Sequence, residues 1–321
     1  MKVTLLDSIR EACRKVAGQS THVRIDVDRI AEYAQELPLE GAVSPSIDPA
    51  SHYLGRGEET AAFFITLDCI NFGSGYFPSL TKRPGKSGYF TIAGSLTDYF
   101  KSNGPMSADL LAVLTAEDCA QIFGQNPRYP IVAELMQLFA LALNDLGRFL
   151  LEGFDGSFTD LVESVDGSAE NLVRLLSGMP CYNDVHDYHG IEVPFYKRAQ
   201  LTAADLSLAF EGTGLGRFED LGRLTIFADN LVPHVLREDR VLVYSDSLQK
   251  RIAEEALVPA GSDEEIEIRA CALHAVELIR EAANAAGQPV TAQGLDYLLW
   301  NRGQEPLYKS VPRHRTRTVY Y

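Results

Sequence analysis

The 321-residue sequence lacks an excess of positive charge: 44 acidic residues stand against 29 basic ones, for a formal net charge of −15. Long nucleic acids repel such a chain, because their phosphates need concentrated Lys and Arg to hold them. A single nucleotide is different, since a few local basic groups hold one phosphate. No two of the five cysteines (Cys13, Cys69, Cys119, Cys181, Cys271) lie close in sequence. That excludes CxxC zinc and redox motifs, and the odd, scattered set reads as buried free thiols in a reducing compartment. No uncharged apolar run reaches the roughly 18 residues of a spanning helix, so no membrane partner is expected. The segment MKVTLLDSIREACRKVAG carries charges inside its apolar pattern, unlike a signal peptide, and the expected location is cytoplasmic. Walker loop, G-x-S-x-G and H-E-x-x-H are all missing.

What is present is apolar material. Hydrophobic residues make up 46% of the chain, enough for a large core, and a charged fraction of 23% excludes disorder. With no repeat, low-complexity tract or clear linker, residues 1–321 read as one domain or as two closely packed helical lobes. Helical periodicity dominates. Leu5, Ile9, Ala12 and Val16 predict a first helix, and a second runs from Asp26 to Leu37. Residues 41–57, with Pro45, Pro49 and Gly55, read as a loop. The stretch AAFFITLDCINFGSGYFP fits a buried strand or a buried helix equally. TKRPGKSGYFTIAGS reads as a basic turn leading into a short strand or hairpin. Helices are predicted over Ser107–Phe123 with Ser107 as N-cap, Ile131–Leu151, Phe158–Val165, Ala169–Leu176, Tyr196–Phe210, Ile266–Ala285 and, from N-cap Thr291, to Trp300. Cys181–Val193 reads as polar and irregular. The tail PRHRTRTVYY is basic, terminal and expected to be solvated.

One order of elements carries chemistry. An apolar helix meets a turn with Gly212, Gly214 and Gly216, and a second helix is expected to end near Asp229, before Pro233 interrupts the pattern. Helix–hairpin–helix base-excision glycosylases have this order, with an acid after the hairpin that stabilises a sugar cation. An Asp near a helix end otherwise serves as a cap. Asp68 and Asn71 sit among Phe63, Phe64, Phe72, Tyr76 and Phe77. An ionised carboxylate there suits the donor edge of a guanine-like base, with aromatics to stack on it; a structural hydrogen bond is the alternative. His186 and His189, near Asp184 and Asp187, form an H-x-x-H with no further ligand motif, so no metal is assigned. Lys197 and Arg198 open a helix whose first turn suits an anion, and Arg313, His314, Arg315 and Arg317 form a second basic cluster.

The runs LDCINFG, FYKRAQL, TIFADNLVP, EIEIRACALHAVELIR, DYLLW and PRHRTRTVYY, in this chain order, resemble the queuosine salvage protein family from about Phe63 to Tyr321. The resemblance implies a mainly α, helix–hairpin–helix DNA-glycosylase-like fold with at most a small β element. It also implies hydrolysis of queuosine 5′-phosphate to queuine and ribose 5-phosphate, without a cofactor. Asp229 then matches the family's catalytic acid and Lys197 an active-site basic residue. Asp68, Asn71 and Phe72 match a pocket segment, and Asp296 and Trp300 match another. Phe63, Tyr196, Arg198 and Arg315 complete the expected substrate contacts. The chain has Asn230 where Tyr is commoner and His234 where Gln is commoner. The rival readings are a helix–hairpin–helix nucleic-acid binder or DNA glycosylase, a non-enzymatic helical interaction protein, and a metal-dependent hydrolase using His186 and His189.

Overall fold

The computed structural model describes residues 4–43 and 47–321. Helix takes up 58% of the described residues and strand 4%, so the fold is mainly α. In chain order the helices are α1 (Leu5–Ala17), α2 (Val27–Glu36), α3 (Glu40–Val43), α4 (Glu58–Cys69), α5 (Gly88–Asn103), α6 (Ala108–Leu111), α7 (Ala116–Ile122) and α8 (Pro130–Phe154). They continue with α9 (Phe158–Glu163), α10 (Ala169–Leu176), α11 (Lys197–Ala209), α12 (Val232–Glu238), α13 (Asp246–Ala253), α14 (Asp263–Ala285), α15 (Ala292–Arg302) and α16 (Pro306–Lys309). The strands are β1 (Val23–Ile25), β2 (Val185–Tyr188), β3 (Ile191–Pro194) and β4 (Leu242–Tyr244).

The chain folds into two compact units. Among the described residues, the first holds 4–43, 184–197 and 222–317. Its centre is α14, packed by α1, α2, α12 and α15. Ser262 starts α14 by accepting from the Glu265 amide, and Ile266, Ala270, Leu273 and Val276 are buried along it. β1 and β4 pair antiparallel with Val23 opposite Tyr244, and β2–β3 is a hairpin with Val185 opposite Pro194. A buried carboxylate, Glu267, gathers the amides of Thr21, His22 and Val23 and the hydroxyl of Tyr188. It thereby ties the start of β1 and the end of β2 to α14.

The second unit holds residues 46–183, 198–221 and 318–321. Its centre is α8, which is long and apolar enough to cross a membrane by length and composition. Here Leu135, Phe139, Leu143, Leu146 and Leu150 form the buried face of a core helix, packed by α4, α6, α7 and α9. Gly147 lets α6 come close: a Cβ there would lie 2.4 Å from the Ala112 nitrogen and 2.6 Å from the Ala108 oxygen.

Several elements differ from the sequence-based expectation. The first half of the undecided aromatic stretch, to Cys69, belongs to helix α4, buried at every position from Thr60 to Cys69, so it has no exposed face to show a period. The expected strand after the basic turn is helix α5, started by Ser87, whose side chain accepts from the Phe90 amide. Ser107–Phe123 is two helices, because Thr115 opens α7 with a capping box to Asp118. The polar segment after Cys181 is the β2–β3 hairpin, turned at His189 and Gly190, both at positive φ. Residues 41–43 of the expected loop belong to α3, 47–57 hold no helix or strand, and 44–46 lie outside the described residues. The tail is not solvated: His314, Thr316, Thr318 and Tyr321 are buried.

Candidate active site

No helix ends at Asp229. Only a single 3-10 turn forms, at Leu221–Arg223, and 224–228 run without regular structure. Leu224, Ile226, Phe227 and Ala228 are buried, and the Phe227 amide donates to Asp296 Oδ1 at 2.8 Å instead of to a helical carbonyl. Asp229 instead begins α12. Its Oδ1 accepts from the amides of Leu231 (2.7 Å) and Val232 (3.3 Å), two donors that the helix itself leaves unsatisfied. Pro233 lies in the first turn of α12, where its missing N–H costs nothing, so it starts this helix rather than interrupting one. Asp229 is half-buried, and its second oxygen takes no hydrogen bond from a described residue. Gly303 permits this arrangement, since a Cβ there would meet Leu231 Cγ at 2.7 Å. Trp300 follows Asp296 by four residues on α15, which puts both on one face.

Lys197 is buried at the start of α11, and its backbone amide donates to Asp184 Oδ2 at 3.2 Å. The carbonyl of Asp184 accepts from the Phe195 amide at 2.9 Å. Tyr196 between them has φ +48°, an uncommon conformation for a non-glycine residue. Asp184 is in turn gripped by Arg269, whose two terminal nitrogens lie 2.9 and 2.6 Å from its oxygens. Burial would raise the Asp184 pKa, but the charge of Arg269 and the contact with His186 outweigh it and hold it at about 2. Sequence reading named Asp184 only beside His186 and His189, and missed Arg269 as its partner. The available signal was a lone arginine in the apolar run IEIRACAL.

In the second unit, Asp68 is buried on the last turn of α4, with Asn71 Nδ2 3.5 Å from its Oδ1. Tyr89 shares this region. Its hydroxyl pKa is raised by burial and then by Asp205 and Asp68. The same hydroxyl meets His52 Nε2 at 2.9 Å, His52 Nδ1 meets the Asp48 carbonyl at 2.8 Å, and the ring stacks on Phe64. Burial lowers the His52 pKa, which favours a neutral ring that donates from Nδ1 and accepts from the tyrosine. His52, Tyr89 and Asp205 had no motif to mark them.

Other expected contacts are placed differently. Arg198 is buried among backbone carbonyls. Its terminal nitrogens donate to the carbonyls of Cys69, Cys181 and Asp68, and its guanidinium lies 4.8 and 4.7 Å from the Phe72 and Tyr182 ring centres. Phe72 also packs edge-on against Phe139, and Phe63 against Phe64 and Phe100, so both are core residues. Arg315 donates to the Glu255 carbonyl and lies 3.6 Å from its carboxylate. Gly216 serves packing, since a Cβ there would meet the Leu206 carbonyl at 2.5 Å. His186 faces Asp184 at 3.2 Å while His189 faces Asp263 at 2.8 Å. The two rings thus pair with different acids.

The second unit thus holds a buried carboxylate, Asp68, and the first a half-buried one, Asp229, fixed by backbone amides; groups of these kinds can bind a base and stabilise a sugar cation. Comparison with known proteins points the same way. Residues 51–321 match the queuosine salvage protein family. A Sphaerobacter thermophilus protein is 36% identical over 96% of this chain and 96% of its own length. One from Dictyostelium discoideum is 32% identical over 98% and 99%, and one from Mus musculus 33% over 98% and 98%. All three bear the name queuosine 5′-phosphate N-glycosylase/hydrolase. With a family match over most of its length and relatives that it spans nearly end to end, the chain belongs to the queuosine salvage protein family.

Proposed function

We propose that the protein hydrolyses the N-glycosidic bond of queuosine 5′-phosphate, releasing queuine and ribose 5-phosphate. The nearly full-length match to relatives of that name carries this reading. Breaking the bond leaves positive charge on the ribose, and a fixed carboxylate beneath the sugar offsets it and orients the attacking water. Asp229 suits that task because the amides of Leu231 and Val232 hold one oxygen in place. Its other oxygen is then the one to face the sugar. The departing base takes the electron pair of the broken bond, water supplies the hydroxyl at the anomeric carbon, and the proton that water gives up ends on the released base. A 7-deazaguanine has no N7 to protonate, so its leaving must be helped at O6, N3 or the ring edge. Asp68 is assigned to read the base's N1–H and exocyclic amine. Lys197 is assigned to the 5′-phosphate or the ribose hydroxyls. The substrate is a free nucleotide, in keeping with a net charge of −15.

The test is Asp229→Asn assayed for queuine release. The variant should melt like the parent and lose about 3 kcal/mol or more of transition-state stabilisation, a drop of about two orders of magnitude in kcat. A folded variant with near-normal turnover would remove Asp229 from the chemistry.

A further inference from the structure

Arg269 is completely buried on α14, a costly place for a guanidinium. Its contacts explain where its donors go. Nε donates to the Ala228 carbonyl at 3.0 Å. The terminal nitrogens clasp Asp184, with Glu265 Oε1 at 3.4 Å from one of them. The guanidinium carbon lies 4.0 Å from the Phe195 ring centre. Ala228 directly precedes Asp229. Asp184 holds the Lys197 amide through its side chain and the Phe195 amide through its carbonyl. One planar side chain therefore reaches both chain segments that carry the residues assigned to chemistry.

A pair buried this deeply contributes little net stability, because desolvation offsets its attraction. Well-packed apolar side chains would hold α14 as firmly. What they cannot do is fix two loops at defined distances, whereas a rigid fork with donors in one plane does so. We propose that Arg269, acting with Asp184, is a positioning residue that sets the backbone of Asp229 and Lys197 in register for N-glycoside hydrolysis. This rests on the catalytic reading of Asp229 above.

The deciding substitution is Arg269→Lys. Lysine keeps the charge beside Asp184, but a single ammonium cannot clasp two carboxylate oxygens and also reach Ala228. On queuosine 5′-phosphate, kcat should fall by about ten- to a hundredfold, the scale of a misplaced catalytic group. KM should stay within about threefold and the melting transition should remain cooperative. A merely structural role predicts the same fractional loss in any background. If Arg269 acts through Asp229, the loss shrinks to under about threefold in the Asp229→Asn enzyme, because coupled residues are not additive. Should Arg269→Lys fail to fold, Asp184→Asn carries the same cycle, since it keeps an acceptor for Lys197 and loosens the fork. An unchanged kcat, or equal losses in both backgrounds, overturns the positioning role. Near-normal activity of Asp229→Asn overturns the catalytic reading itself, and this inference with it.

Discussion

Arg198 follows Lys197 directly in sequence but has surroundings of its own. Three carbonyls and two aromatic rings surround the Arg198 guanidinium, so its charge holds the end of α4 and the turn at Cys181 together within the second unit. Arg198→Met should therefore lower stability, leaving buried carbonyls without donors at about 1–3 kcal/mol each. A denaturant melt measures this. A phosphate ligand would behave in the opposite way, with KM raised and the melt unchanged. Sequence alone could not separate the two residues. Both are basic, both open α11, and only the third dimension shows that Arg198 donates to three backbone carbonyls. FADNLVP, the run that holds Asp229, could be read as family sequence because it is contiguous. The clasp of Asp184 by Arg269 could not, because the partners stand 85 positions apart.

At the scale of elements, the long helices were readable because one face of each is apolar over many turns, as with Leu135, Phe139, Leu143 and Leu146 of α8. Short elements were not. α4 is buried all round and loses its period, and the β2–β3 hairpin is only eight residues of strand in mixed polar sequence. The turn before Asp229 was misplaced because Asp296, distant in sequence, takes the Phe227 amide that a helix would have used. Glycines carry a further part of the fold that periodicity does not register. Gly147 sits where α6 crosses α8, and its would-be neighbours are backbone atoms that cannot rotate away. Gly147→Ala should thus destabilise the protein by about 1–3 kcal/mol despite the better helix propensity of alanine. A melt as stable as the parent's would show that α6 can retreat at no cost.

Over the whole molecule, the balance of −15 sets what the protein meets productively. A gel-shift titration with a queuosine-containing RNA at low salt should show no binding at micromolar protein, while queuosine 5′-phosphate is turned over at the same salt. Retention of the RNA would revive the nucleic-acid reading. The five cysteines extend this view of the molecule. All are free and buried. Burial raises the pKa of Cys13, Cys119 and Cys271, the last two to about 12, and the same burial pushes Cys69 up. Cys181 differs: the neighbouring Cys69 thiol and then the Arg198 charge lower its pKa against burial. An alkylating reagent added to the native enzyme meets these thiols only when the structure opens around them, so its rate reports opening. The buried thiols thus work as built-in clocks for breathing of the fold.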